Sequence, residues 1–385
     1  MSFPSVPAPV SGERFTVTYA LLASDEADAR ERATGVLLEQ TVELPMSLVP
    51  EGDIKQQLIG HIESLRQVEP GRYEAAISYP VEASGFEYTQ LLNVMFGNIS
   101  MQSGVRVVNV DLPEVLLKAF KGPRFGTPGL RRLLDAPTRP LLGTALKPLG
   151  YPPEELAKAA YQFARGGIDV IKDDHGLANQ QYAPFKERAA RCAEAVLKAN
   201  AETGGHTLYA PNITGPVERL FENAHYAKSV GAGAVEVIAG LAGFDAVRAL
   251  AADDALGLPV LSHPAFAGSY ITSKDSGIAM DVIYGLMPRL AGADITIYVN
   301  FGGRFPITRE DVGRLRDAIR KPLGHLAPIL PHPGGGMTMQ TIPAILEFYG
   351  NDIIFLVSGG LYALGPDLAE NARRFRETVE QAGAG

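Results

Sequence analysis

From about residue 138 onward the chain repeats one pattern: a short apolar run, an amphipathic stretch of helical period, then another apolar run. The apolar runs fall at 141–146, 168–171, 207–210, 234–239, 259–262, 295–299, 327–330 and 353–357. Helical stretches lie between them at 152–165, 185–202, 216–230, 243–252, 276–291, 308–320 and 338–348, and a last one spans 366–381. Strands that alternate with helices pair in parallel through right-handed crossovers. Eight such units over roughly 250 residues describe a (β/α)8 barrel. A doubly wound open sheet would want a glycine-rich turn after its first strand. The first run instead ends Gly143-Thr144-Ala145-Leu146-Lys147-Pro148.

The preceding residues have a different rhythm. Strand character at 15–22, 73–81 and 105–112 mixes with helical periodicity at 27–38, 54–65 and 86–95, and a short helix follows at 113–120. Residues 40–48 read as extended, and Pro45 argues for a strand end or an edge. This predicts an α/β chain of two domains: an N-terminal α+β domain of ferredoxin-like type over 1–125, then a C-terminal (β/α)8 TIM barrel over 126–385. The net charge of −8 argues against a nucleic-acid partner. No run reaches the ~18 apolar residues of a membrane span. Residues 1–10 lack the basic start and apolar core of a signal peptide, so a cytoplasmic location is expected. Cys192 cannot form an intrachain disulfide, being the sole cysteine. It reads as a small buried hydrophobe.

In a barrel, the residues just past each run share one mouth. Those positions carry Lys147; Lys172, Asp174 and His175; Asn212; His263; Asn300 and Arg304; His332 with Gly334, Gly335 and Gly336; and Ser358, Gly359 and Gly360. Glu236 falls inside the fourth run. The cluster after the second run brings an amine, two carboxylates and an imidazole together, a set able to hold a metal or move protons. The two glycine clusters follow the last two runs, where barrels bind phosphate through backbone N–H groups. Arg304 can clamp a phosphate or carboxylate.

These motifs resemble the large subunit of RuBisCO, and more closely the RuBisCO-like proteins that do not fix carbon. The stretch Gly-Gly-Ile-Asp-Val-Ile-Lys-Asp-Asp-His at 166–175 is similar to the family's Gly-Gly-x-Asp-x-x-Lys-Asp-Asp-Glu. The resemblance implies a CO2-derived carbamate on Lys172, with Mg2+ held by Lys172, Asp174 and His175. It makes Lys147, in Leu-Lys-Pro, a catalytic lysine and His263 the histidine after the fifth strand. Glu39 and Asn98 would reach a partner's barrel across a homodimer with shared sites. Gly335, Gly336, Ser358, Gly359 and Gly360 would form the phosphate loops.

Departures from the carboxylase pattern are as informative. His175 stands where the family has a metal-binding glutamate, and Pro264 where a carboxylase has a phosphate-binding arginine. Ala267 and Ile297 replace histidines, and Arg304 replaces the lysine that steers CO2. The resemblance therefore implies one surviving phosphate site and no CO2 fixation. The expected activity is enolisation or isomerisation of a phosphorylated ketose. The favoured form is a 5-methylthioribulose-1-phosphate isomerase of methionine salvage-type metabolism. Alternatives are a decarboxylase of a phosphorylated β-keto sugar acid, a 2,3-diketo-5-methylthiopentyl-1-phosphate enolase and a non-catalytic binding protein.

Overall fold

The computed structural model describes residues 7–303 and 305–383. The expectations placed on residues 1–6 and on Arg304 fall outside them. The chain divides into two units. One comprises residues up to 120 together with 267–283 and 323–325, and the other 121–266, 284–322 and 326–385.

In the first unit, strict alternation along strand β1 (Arg14–Leu22) buries Phe15, Val17, Tyr19 and Leu21 on one face. β1 lies between β3 (Arg72–Pro80) and β4 (Val105–Asp111), with β2 (His61–Glu69) outside β3, all antiparallel. The helix Glu26–Glu39, capped by the Asp25 carboxylate, buries Ala29, Ala33, Val36 and Leu37. Small alanines let it approach the sheet closely. Gln40 at its end donates to the carbonyls of Asn93 and Val94, which ties it to the helix Tyr88–Phe96. The order of elements and the 4-1-3-2 strand order are those of a ferredoxin-like unit. A two-residue strand, Gly277–Ile278, adds to β4 in parallel.

Two sequence expectations fail in this unit. Residues 54–65 are not one helix: a single wide turn at Ile54–Leu58 gives way to β2. The hairpin signal was Pro70-Gly71, with Gly71 at φ +74°, and β2 is an edge strand whose exposed face blurs its alternation. Residues 40–48 are not extended. The N–H groups of Thr41, Val42 and Glu43 all turn back to the Leu38 carbonyl, and Met46–Leu48 is a 3-10 turn after Pro45.

The second unit is an eight-stranded parallel sheet: β5 (Leu141–Leu146), β6 (Val170–Asp173), β7 (Leu208–Ala210), β8 (Val235–Ile238), β9 (Val260–His263), β10 (Ile295–Val299), β11 (Leu330–Gly334) and β12 (Ile354–Leu356). Its order is β7-β6-β5-β12-β11-β10-β9-β8. The ring closes between the two ends: Ala234 N–H reaches Tyr209 O at 3.1 Å, Glu236 N–H reaches Pro211 O at 3.0 Å, and Ile213 N–H reaches Glu236 O at 2.9 Å. This is the expected TIM barrel. The expected helix over 276–291 splits, because Gly277–Ile278 is spent on the other sheet and regular α-helix covers Met287–Ala291. The seventh strand runs from Leu330 to Gly334 rather than over 327–330, its two prolines having masked it. His332 therefore lies within a strand instead of beyond one.

One glycine shows how tightly the outer helices pack. A Cβ on Gly166 would sit 2.4 Å from Ala372 Cβ and 2.5 Å from Ala369 O, on the last helix, Leu368–Gly383. Gly166→Ala is expected to destabilise the barrel by about 1–3 kcal/mol, read as a lowered urea midpoint. An unchanged midpoint would mean that the last helix gives way without cost.

Candidate active site

Alternation along the barrel strands decides which side chains point inward. Leu141, Val170, Ala234, Leu261, Ile295, Leu330 and Ile354 join one buried apolar cluster, together with Leu130, Leu134 and Ala136 at the strands' N-terminal ends. Two residues further along come Lys172, Glu236, His263 and His332, with Gly143 and the apolar Ile297 at the same level, and two beyond Lys172 comes Asp174. An apolar floor thus carries a polar layer, and the mouth lies above it.

Lys172 is 1% exposed and Glu236 0%. The Lys172 ammonium donates to Glu236 Oε1 at 2.9 Å, to Oε2 at 3.1 Å and to the Asp173 carbonyl at 2.7 Å. Burial raises the Glu236 carboxyl above the usual carboxylate range, and the ammonium gripping both its oxygens offsets only part of that rise. His263 Nε2 stands 3.9 Å from Glu236 Oε1. Its Nδ1 accepts from Ala265 N–H at 3.2 Å, so the neutral ring carries its proton on Nε2. Burial, with the Lys172 charge and His175 beside it, pushes the His263 imidazole down to about 2 and keeps it neutral. His332 is wholly buried, and neither of its ring nitrogens has a hydrogen-bond partner. Burial and the Lys172 charge press it down to about 3. Gly143 makes room for this ring, since a Cβ there would lie 2.3 Å from His332 Nε2.

At the mouth, Lys147 Nζ meets Asp174 Oδ2 at 2.8 Å, and His175 Nδ1 lies 3.4 Å from Asp174 Oδ1. Burial opposes ionisation of Asp174. The His175 and Lys147 contacts and the charges of Lys147 and Lys172 overcome it, and hold this carboxyl well below the usual range. The His175 ring stacks on His263, centroids 4.9 Å apart and planes 17° apart. Asn212 donates to the carbonyls of His175 and Leu177 and so fixes the backbone that presents the imidazole. Tyr362 OH accepts from Lys147 N–H at 3.1 Å.

Asp173 faces the other way. Its carboxylate takes bonds from Arg188 Nε at 3.0 Å, Tyr209 OH at 2.9 Å and Asn212 N–H at 3.0 Å, all buried. Of the two adjacent acids, Asp174 serves the mouth and Asp173 anchors the outer helix Phe185–Thr203. Asn300 is also structural, with its Oδ1 accepting from Tyr349 OH at 2.9 Å.

The glycine loops meet. A Cβ on Gly360 would lie 3.0 Å from Met337 O, and one on Gly336 3.7 Å from Gly302 O. Gly335 and Gly336 adopt φ +91° and +69°, which other residues rarely adopt. Glu39 and Asn98 lie in the first unit, joined by Asn98 Nδ2 to Glu39 Oε1 at 2.9 Å, with Asn98 exposed. Sequence reasoning left Glu236 out of the site. A lone acid among Val, Ile and Ala needs a buried cation, and that was the available signal.

Residues 126–304 match the ribulose bisphosphate carboxylase large chain catalytic domain. Over 374 residues the chain is 40% identical to "Ribulose bisphosphate carboxylase-like protein 1" of Rhodopseudomonas palustris, covering 96% of this chain and 99% of that protein. The chain belongs to the RuBisCO-like proteins. A solved RuBisCO-like protein from Rhodopseudomonas palustris superposes with a TM-score of 0.86 at 39% identity, covering 95% of this chain and 97% of that one. A 5-methylthioribulose-1-phosphate isomerase of Rhodospirillum rubrum is 34% identical, over 96% of this chain and 97% of its own length. A 2,3-diketo-5-methylthiopentyl-1-phosphate enolase of Microcystis aeruginosa is 32% identical, over 86% and 84%.

RuBisCO generally uses Mg2+ on a carbamylated lysine. The donor set of this RuBisCO-like protein does not fit that pair. Lys172 is tied to Glu236, Asp174 is tied to Lys147, and the third ligand position holds an imidazole where Mg2+ prefers oxygen.

Proposed function

We propose that this RuBisCO-like protein isomerises a phosphorylated ketose through an enediolate, with 5-methylthioribulose 1-phosphate as the favoured substrate, and that it does not fix CO2. The observation that carries this reading is the Lys147–Asp174–His175 cluster just past the ends of strands β5 and β6. These strands follow β11 and β12 around the ring, whose ends bear the glycine loops. A phosphoryl group against Gly335, Gly336, Ser358, Gly359 and Gly360 sets the sugar's carbonyl beside Lys147. The Asp174 carboxylate turns Nδ1 of His175 inward and leaves Nε2 to take the α-proton and return it to the neighbouring carbon. The Lys147 ammonium meets the oxyanion as charge develops on it. Lys172 lies beneath as a fixed positive charge. His263 backs the His175 ring. Enolisation of a diketo phosphate uses the first half of the same chemistry, and the relative named as an enolase favours it as the second reading.

Incubation with the phosphorylated methylthio-ketose in deuterated water tests the reading. Exchange of the α-hydrogen with conversion to an isomer is expected by NMR; absence of both would leave a binding protein. Enol formation from the diketo phosphate alone would select the enolase. A substitution tests the phosphate loop. A Cβ on Gly359 meets nothing within 4 Å, so Gly359→Asp fits the fold and sets a negative charge at the phosphate. KM should rise about tenfold or more with kcat little changed.

The same reading makes the protein a cytoplasmic homodimer with shared sites, Glu39 and Asn98 serving the partner's barrel. Mixed dimers of Glu39→Ala and Lys147→Ala chains should then regain part of the activity that each variant lacks. No recovery in verified mixed dimers would confine each site to one chain.

A further inference from the structure

We propose that Glu236 takes the place of the carbamate and metal: it holds Lys172 as a permanent, unmodified ammonium, and the site assembles without CO2 or a divalent cation. The inference stands independently of the substrate. All three Nζ protons of Lys172 have acceptors within 3.1 Å, two of them the oxygens of one carboxylate. That carboxylate is wholly buried, and its backbone is part of the seam that closes the barrel, bonded to Pro211 and Ile213. Carbamylation would strip two protons from the amine, one to free its lone pair and one as the N–C bond to CO2 forms. A group of charge +1 would become −1. The new anion would face the Glu236 carboxylate in an interior without solvent. Asp174, the remaining family ligand, already spends its oxygens on Lys147 and His175.

The test uses [13C]bicarbonate and Mg2+ with the full-length protein, read by carbon NMR and by equilibrium dialysis of the metal. The unaltered protein should show no carbamate resonance and no stoichiometric Mg2+. Glu236→Gln, which keeps shape and removes the charge, should gain the carbamate, about one per chain. A stoichiometric carbamate on Lys172 of the unaltered protein overturns the proposal. So does a Glu236→Gln protein that folds and still takes up none, since something other than Glu236 would then protect the amine. If that variant does not fold, peptide mass mapping of the unaltered protein after alkylative trapping decides by itself: a trapped carbamate on Lys172 refutes the proposal, and a free Lys172 upholds it. Neither readout involves turnover, so failure of the isomerase reading leaves the result standing.

Discussion

Lys147→Met should lower kcat by about a hundred- to a thousandfold, the usual loss when one donor to a developing oxyanion is removed. The side chain is 38% exposed, so the fold hardly depends on it. Met keeps the apolar stem and removes only the charge. Asp174 retains His175 and the Lys172 charge, so the neighbouring groups keep their places. The loss should therefore appear in kcat more than in KM, which the glycine loops set. Arg in the same position should not restore the rate, because its planar fork cannot reproduce a compact ammonium. Steady-state rates with the phosphorylated ketose measure this. A variant within a few-fold of the original would remove Lys147 from the chemistry.

The second large effect is on stability, and it falls on the acid next door. Asp173 and Arg188 form an ion pair with both side chains at 0% exposure, and Tyr209 and Asn212 N–H share the same carboxylate. Asp173→Ala leaves a guanidinium without its counter-charge in the barrel wall and should cost about 3–5 kcal/mol. A double variant, Asp173→Ala with Arg188→Met, should recover much of that loss, because the penalty belongs to the orphaned charge. Asp174→Asn, one residue on, should cost far less stability and most of the activity. Urea unfolding followed by circular dichroism, alongside rates, separates the two. Equal destabilisation by Asp173→Ala and Asp174→Asn would overturn this division of labour.

That division was only half legible in the sequence, which set Asp174 at the mouth but gave Asp173 no role of its own. Lys172, Asp173, Asp174 and His175 read as one polar cluster at a strand end. The strand in fact continues through Asp173, and its two-residue period sends alternate side chains to opposite faces. The eight-strand rhythm was legible because each apolar run is buried on both faces. β5 and β10 have the expected ends, while β11 slid by three residues because prolines interrupt its apolar character. The short strand at Gly277 was invisible, since two residues carry no period and their partner lies in another sheet. The glycine loops were legible from composition alone. Glu236 was visible only as an anomaly, because its partner Lys172 lies 64 positions away and nothing local announces the meeting.

That meeting has a topological consequence. Lys172 belongs to β6 and Glu236 to β8, so their bond clasps two strands over the three-residue strand between them, at the place where the ring is sealed. Locking the cylinder and arming its interior become a single event. A chain caught with its sheet still uncurled would own every group of the catalytic apparatus and none of its alignment, so no half-built form of this protein should turn over substrate.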